Sequence, residues 1–317
     1  MLPSLDLEYL KFNLKKLNRK SLLKNVSVAT VAALSSSCTQ KNPSTVTKLH
    51  GKLPQVISAW PFMVAGEKWS AEQLIQKAKT LGTAGVELLD VKHWPLLKKE
   101  GLVCAATKSH TFIRGMNNKG HHAECFNKLN EAIDATSSAG FPNVMTFTGM
   151  SDTSHEKNGS KVSLEQGIKN CIEGYKKIVS KAEKKKVTLV LEPLNTRYSE
   201  NMKGHPGYMG DHLDICLEII KAVSSPSLKL LFDVYHLQIM DGNIISNIKA
   251  SSDYIGHVQI AGVPGRGEIG MDQEVNYKAI MQAFYDNGYR GFVGHEWIPT
   301  KNPTTGLKEA LSICDLT

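Results

Sequence analysis

The sequence of 317 residues has no Cys-x-x-Cys pair and no long apolar run, and each absence excludes a class of protein. Single, widely spaced cysteines exclude a zinc finger and a dense disulfide framework. The longest uncharged runs, 25–40 and 135–151, are rich in small and polar residues, so neither supplies the ~20 apolar residues of a membrane-spanning helix. With 41% hydrophobic and 21% charged residues, the composition also excludes a disordered or collagenous chain.

The net charge of +8 raises the question of a nucleic-acid partner. Half of this excess lies in residues 1–25, where six basic residues accompany two acidic ones. The rest of the chain is only weakly basic, and its lysine-rich stretches are typical of solvated helix faces. We therefore expect no nucleic-acid partner.

The N-terminus has the order of a targeting segment: basic residues, a short apolar run over 26–34, then small residues and Cys38. The stretch around Arg19 resembles a twin-arginine export signal in which Lys20 replaces the second arginine, and Cys38 resembles a lipoprotein cleavage site. This pattern predicts an export signal and tether over 1–49, with the folded domain over 50–317 in the periplasm. A cytoplasmic extension is the alternative.

From residue 53 onward, a short apolar run, a polar loop and an amphipathic helix alternate along the chain. The predicted strands are 54–59, 84–89, 102–106, 143–147, 187–191, 228–232, 255–260 and 291–294. The predicted helices are 70–81, 122–139, 164–185, 211–223, 242–251, 277–287 and 303–313, with a short candidate after Leu89. Eight such units in one body favour a single-domain (β/α)8 TIM barrel over an open doubly wound sheet, although counting alone leaves both open.

Four polar side chains end the last four predicted strands: Glu192, Asp233, Gln259 and Glu296. The carboxyl ends of barrel strands lie on one face, so we expect these oxygen ligands to converge. Convergent oxygen ligands suit a hard divalent cation, which predicts a Mg²⁺ or Mn²⁺ site, with Co²⁺ as a further candidate. The alternative is that each carboxylate pairs with an arginine or caps the following helix.

The same region resembles a known family. Its marks are LEPLN at 191–195, FDVYHLQ at 232–238, HVQIA at 257–261, VPGRGE at 263–268 and GHE at 294–296. The chain resembles the hydroxypyruvate isomerases of the xylose isomerase-like TIM-barrel superfamily of sugar isomerases and epimerases. The resemblance implies that Glu192, Asp233, Gln259 and Glu296 bind one divalent metal and that His236 and Arg266 contact the substrate. Gln259 indicates the isomerase subgroup, since related ketose 3-epimerases usually carry His there.

The first half of the chain matches the family less closely. Glu87 and His110 are its best candidates for substrate contacts, followed by Asn117 with His121 or His122. After Asn195, a longer insertion over 196–208 replaces the short loop of the family at the mouth of the pocket. Substrate size is therefore open, and the export signal also favours a keto-sugar larger than hydroxypyruvate.

Moving a carbonyl between adjacent carbons requires a base, an acid and a Lewis acid that stabilises the enediolate. We assign Glu192 and Glu296 as the acid–base pair, without a direction, and Asp233 and Gln259 mainly as metal ligands. Arg266 either binds substrate or forms an ion pair with Glu268, and His236 is either a substrate contact or a core histidine. The predicted partner is a small hydroxycarbonyl compound or keto-sugar, and a homo-oligomer is left open.

Three other functions compete with a small-molecule isomerase. A ketose 3-epimerase or sugar-acid isomerase would use the same barrel. An AP-endonuclease-like phosphodiesterase would need several zinc ions and histidine ligands, for which His110, His212 and His257 are too few. A non-catalytic carbohydrate binder would not need both members of the carboxylate pair.

Overall fold

The computed structural model describes residues 49–317, which all belong to one compact unit. The predicted export signal and nearly all of the tether therefore lie outside the described residues. Among the residues that are described, no helix is both long enough and apolar enough to cross a bilayer.

The predicted barrel is confirmed: short parallel strands form one sheet that is nearly closed on itself. The strands are β1 (Gln55–Ser58), β2 (Gly85–Glu87), β3 (Val103–Cys104), β4 (Ala106–Thr107), β5 (Asn143–Thr146), β6 (Thr188–Leu191), β7 (Leu228–Asp233), β8 (Ile255–Ile260) and β9 (Val293–His295). The order in the sheet is β3-β2-β1-β9-β8-β7-β6-β5-β4. Because β3 and β4 flank Ala105, they are two halves of the third predicted strand, and the eightfold pattern of the sequence holds.

The helices surround this barrel. They are α1 (Ala59–Val64), α2 (Ala71–Thr80), α3 (Trp94–Lys99), α4 (His122–Ala139), α5 (Leu164–Lys185), α6 (Leu213–Val223), α7 (Val234–Met240), α8 (Ile244–Ser251), α9 (Tyr277–Asp286) and α10 (Pro303–Cys314). The strand after each long helix returns to the sheet beside its predecessor, so strands that follow one another in the chain are neighbours in the barrel.

Alternation along the strands divides the core into two parts. In β6, Val190 belongs to a small apolar cluster with Leu231 and Met145, whereas Leu189 and Leu191 pack in the large cluster that includes the helices. Successive side chains of a strand point to opposite faces, so the small cluster fills the barrel and the large one joins barrel to helices. Both faces are buried, which explains why the strands are apolar almost without interruption.

Local signals set most of the boundaries. Ser70 and Gln73 form the predicted capping box at the start of α2, and Gly140 ends α4 with a φ of 76°. The second strand is shorter than predicted because Leu88 adopts a φ of 55°, which ends the extended backbone. The short helices α1 and α7 are not in the sequence prediction, since each has fewer than eight residues and no full period of its own.

Candidate active site

The four predicted metal ligands meet at the carboxyl ends of β6, β7, β8 and β9. Glu192 follows β6, Asp233 ends β7 opposite Gln259 in β8, and Glu296 follows β9. All four side chains are at most 3% exposed. The sequence prediction that these groups share one face of the barrel therefore agrees with the structure.

Glu296 is held by donors on both carboxylate oxygens. Trp60 Nε1 donates to Oε1 at 2.7 Å, Ser58 Oγ donates to the same oxygen at 3.3 Å, and Arg266 Nη2 donates to Oε2 at 2.7 Å. Burial raises the pKa of Glu296 to about 7, against the opposing effect of the Arg266 charge. The carboxyl group therefore has a fixed orientation and a pKa suited to proton transfer near neutral pH.

Glu192 lies in the same buried site, but its carboxylate receives no hydrogen bond from residues 49–317. Burial and the nearby charges of Glu296 and Asp233 raise its pKa well above the ordinary value. A buried carboxylate without donors is costly unless a cation or a substrate group partners it. Glu192 thus has a free oxygen pair that faces the site.

The two carboxylate oxygens of Asp233 have different roles: one caps a helix and the other faces the site. Its Oδ1 accepts from the backbone N–H groups of Tyr235 at 2.7 Å and His236 at 3.2 Å, which caps α7. Its Oδ2 lies 3.7 Å from His236 Nε2 and is left for the site. Burial raises the pKa of Asp233 to about 6. The sequence alternatives of helix cap and ligand are therefore compatible within one carboxylate.

Glu87 fixes the orientation of the Gln259 amide. Gln259 Nε2 donates to Glu87 Oε1 at 2.7 Å, and His257 Nε2 lies 2.6 Å from Glu87 Oε2. Gln259 Oε1 is buried without a hydrogen-bond partner among the described residues. Since the amide nitrogen is held by Glu87, its oxygen is the atom left over as a ligand. The structure places Glu87, predicted as a substrate contact, behind Gln259 with both oxygens engaged.

Gly294 makes room for that carboxylate. A Cβ atom at position 294 would lie 2.4 Å from Glu87 Oε2 and 2.5 Å from Oε1. The second residue of β9 is therefore glycine because Glu87 packs directly against its backbone.

The hydrogen bonds of His236 show which ring nitrogen carries the proton. Its Nδ1 lies 3.0 Å from the backbone nitrogen of Asn195, which can only donate. Burial lowers the pKa of His236 well below the ordinary value, so the ring is neutral and its proton lies on Nε2. Glu192, Asp233 and His236 have possible ligand atoms within 4.8 Å of one another. Nevertheless, a protonated Nε2 is a donor for substrate or for Asp233 and not a metal ligand.

Arg266 lies in the site and not in a loop contact with Glu268. Its guanidinium is 5.2 Å from the centre of the Trp60 ring and 5.4 Å from that of Tyr235, and it donates to Met202 O as well as to Glu296. Its Nε is buried without a partner among the described residues. The carboxylate of Glu268 instead accepts from residues 300 and 301.

The remaining first-half candidates separate into two groups. His110 lines the cavity above the site, but its Nδ1 lies near the carbonyls of residues 111 and 114 and its Nε2 near Thr146 Oγ1 at 2.8 Å, so both nitrogens are engaged. Burial lowers its pKa to about 4. Asn117, His121 and His122 do not line the cavity: Asn117 donates to Met150 O and His122 lies against Met116 O.

Three residues of the site are not in the sequence prediction. Ser58, the last residue of β1, and Trp60, in α1, hold Glu296, and Asn195 holds His236. The strand-end rule that singled out the predicted second-half ligands applies equally to β1 and would have pointed to Ser58.

The donor set fits a divalent cation. Three buried carboxylates share the site with a single guanidinium, that of Arg266, which leaves an excess of negative charge when all are ionised. Three oxygen groups in the site have no hydrogen-bond donor within residues 49–317: the Glu192 carboxylate, Asp233 Oδ2 and Gln259 Oε1. Hard, oxygen-rich donor sets of this kind suit Mg²⁺ or Mn²⁺.

Comparison with known proteins agrees with this architecture. A putative hydroxypyruvate isomerase of Homo sapiens is 28% identical over 255 residues, which cover 75% of this chain and 89% of that protein. The 2-oxo-tetronate isomerase of Cupriavidus necator is 38% identical over 121 residues, which cover 38% of this chain and 44% of that protein. The crystal structure of an AP endonuclease, family 2, from Brucella melitensis superposes with a TM-score of 0.69 at 25% identity, covering 80% of this chain and 97% of that one. The family model described as xylose isomerase-like TIM barrel matches residues 75–315, and the chain therefore belongs to that family.

Proposed function

We propose that the protein is a divalent-metal-dependent isomerase that moves a carbonyl between adjacent carbons of a small hydroxycarbonyl compound, as from hydroxypyruvate to 2-hydroxy-3-oxopropanoate. The observation that carries this proposal is the buried pair Glu192 and Glu296, which share one site with Asp233 Oδ2 and the free oxygen of Gln259. The names of two relatives, hydroxypyruvate isomerase and 2-oxo-tetronate isomerase, support the same class of reaction.

The reaction needs a base at one carbon and an acid at its neighbour. A divalent cation, when bound by Glu192, Asp233, Gln259 and Glu296, supplies Lewis-acid polarisation of the carbonyl oxygen. Glu192 and Glu296 exchange the proton with the two carbons, in a direction that we leave unassigned. The donors on Glu296 keep its carboxylate in one orientation during the transfer.

Two donors in the site are free to orient the substrate. They are Arg266 Nε–H and His236 Nε2–H, neither of which has a partner among the described residues. The rings of Trp60 and Tyr235 hold the guanidinium plane. Arg266 therefore binds a substrate carboxylate or hydroxyl, and His236 binds a further oxygen.

Two of the competing functions have less support. A multi-zinc phosphodiesterase requires free histidine ligands, but His110 is engaged on both nitrogens, His257 lies under Glu87, and His212 pairs with Asp241 near the surface. A carbohydrate binder does not require two buried acidic groups, whose burial and mutual repulsion lower the stability of the fold. An epimerase would use the same pair of glutamates, so product analysis separates it from an isomerase.

The first experiment measures turnover in deuterated solvent. Metal-loaded protein is incubated with hydroxypyruvate and, separately, with ketoses, and products are identified by NMR. We expect carbonyl transfer with incorporation of solvent deuterium at the reacting carbon. Inversion at one carbon without carbonyl transfer would instead assign an epimerase, and no reaction with any substrate would refute both.

Two variants separate proton transfer from metal binding. Glu192→Gln retains one oxygen and disturbs no hydrogen bond of the described chain, so it should bind Mn²⁺ but lose ~10²–10⁴ in kcat, the usual contribution of general acid–base catalysis. Asp233→Asn keeps the helix cap through its carbonyl oxygen but replaces the oxygen at Oδ2, so excess Mn²⁺ should partly restore its activity. Equal rescue of both variants would show that Glu192 is only a ligand.

A further inference from the structure

The cavity above the site has a volume of about 270 Å³ and two kinds of lining. Glu192, Glu296 and Arg266, where the proposed chemistry takes place, are among the lining residues. Much of the remaining wall is apolar, with Phe112 and Phe147 among its aromatic members. A three-carbon acid held by Arg266 and the carboxylates would leave this wall without a partner.

The insertion over 196–208 forms part of that wall and is anchored to the site. Lys203 O accepts from Tyr235 Oη at 2.8 Å and from Asn195 Nδ2 at 2.7 Å, and Met202 O accepts from Arg266. A Cβ on Gly204 would lie 2.4 Å from Asn195 Oδ1, so glycine allows the loop to approach this closely. The loop is thus held in place by residues of the site itself.

Two residues of this loop, Met202 and His205, line the cavity, and His205 is the one with a polar side chain. It is 7% exposed, its ring centre lies 4.2 Å from that of Phe112, and it lines the cavity. Its backbone N–H donates to Asn195 O at 2.7 Å, which fixes its position. Burial, with the Arg266 charge, lowers the pKa of His205 to about 4, so the ring is neutral. No described residue forms a hydrogen bond with its ring nitrogens.

A neutral imidazole has one N–H donor and one acceptor nitrogen, and the ring of His205 presents these groups to the cavity, where a ligand must replace the water they would otherwise bind. We propose that His205 determines substrate length: its ring hydrogen-bonds a hydroxyl on a carbon beyond the three that hydroxypyruvate contains. This inference rests on the proposed function of the same site. It assigns the substrate to hydroxylated keto acids or ketoses of at least four carbons.

The rest of the wall agrees with such a substrate. The C–H faces of a polyhydroxylated chain are apolar and can pack on Phe112 and Phe147, while a hydroxyl group reaches His205. Apolar lining with a few placed polar groups is the usual arrangement of a small-molecule site. The carboxylate or carbonyl end of the same molecule remains with Arg266 and the glutamates.

The experiment compares two acids that differ by one CHOH group, hydroxypyruvate and 2-oxo-tetronate, on the Mn²⁺-loaded full chain. His205→Phe keeps a ring beside Phe112 but removes both polar atoms, and His205→Gln retains a donor and an acceptor. Tyr198→Phe, which removes a hydroxyl from a half-exposed ring of the same loop, is the matched control.

We expect His205→Phe to lower kcat/KM for 2-oxo-tetronate about tenfold, the value of one hydrogen bond, and to leave that for hydroxypyruvate within about twofold. His205→Gln should recover part of the loss, and the control should match the wild type. Equal effects on both acids, or none on either, would overturn the proposal.

A wild-type protein that isomerises neither these acids nor the ketoses would refute the proposed function but not this inference. In that case, calorimetric titration of the Mn²⁺-loaded protein with 2-oxo-tetronate tests the role of His205. Binding that weakens about tenfold in His205→Phe supports the proposal, whereas unchanged binding, or no binding to the wild type, overturns it.

Discussion

The buried Glu87 offers the sharpest test of the metal site. Both of its carboxylate oxygens are engaged by Gln259 and His257, so neither is left for the substrate. The Glu87 carboxylate bonds Gln259 Nε2 at 2.7 Å and His257 Nε2 at 2.6 Å, and all three side chains are fully buried. In Glu87→Gln, one carboxylate oxygen becomes an NH₂ group and the negative charge is lost. If that NH₂ faces Gln259, the Gln259 amide must rotate and turn nitrogen instead of oxygen toward the metal.

Loss of a group that orients a metal ligand typically costs 10–100-fold in metal affinity. The wild type at a Mn²⁺ concentration of a hundred times its dissociation constant should gain about 2.7 kcal/mol of stability from the metal. If the dissociation constant of Glu87→Gln is a hundredfold higher, the same Mn²⁺ concentration adds only about 0.4 kcal/mol. The difference is large enough to measure.

The assay is calorimetric titration of metal-free protein with Mn²⁺, combined with urea unfolding with and without the metal. Glu165→Gln, an identical change on the exposed surface of α5, is the control for loss of charge. A dissociation constant of Glu87→Gln within twofold of the wild type would refute the reasoning, since Gln259 would then be either independently oriented or not a ligand. Unfolding without metal shows whether the variant folds.

Three further predictions concern other parts of the molecule. Gly294→Ala places a Cβ 2.4 Å from Glu87 Oε2, so it should raise the Mn²⁺ dissociation constant about tenfold in the same titration; an unchanged constant would contradict this packing. Burial lowers the pKa of His110 to about 4, so between about pH 6.5 and 4 the unfolded chain binds the extra proton and stability falls as the pH falls. In urea unfolding, the wild type should therefore lose about 2 kcal/mol more than His110→Gln from pH 7.5 to pH 5, and equal losses would argue against a neutral, buried His110. We also propose that residues 1–48 direct export: full-length protein should be processed and recovered from the periplasm, and a chain starting at Leu49 should keep the wild-type melting temperature. Retention in the cytoplasm would contradict the first part, and failure to fold the second.

The sequence alone favoured the barrel and placed the predicted second-half ligands on one of its faces. Apolar runs such as 187–191 are typical of strands covered on both faces, so the composition of the strands already indicates that they are buried. A polar residue directly after such a run lies at the carboxyl end of the strand. In a parallel barrel, all such ends are on the same face. Glu192, Asp233, Gln259 and Glu296 could therefore be assigned to one face without any distance.

Only the tertiary structure decided what surrounds these ligands. Glu87 and Gln259 are 172 residues apart, and Trp60 and Glu296 are 236 apart, so no local pattern joins the members of either pair. Sequence periodicity shows which face of an element is buried, but the partner of a polar atom depends on which strands become neighbours when the sheet closes. For the same reason the sequence placed Glu87 with the substrate and overlooked His205, whose position depends on how the insertion folds against Asn195 and Arg266.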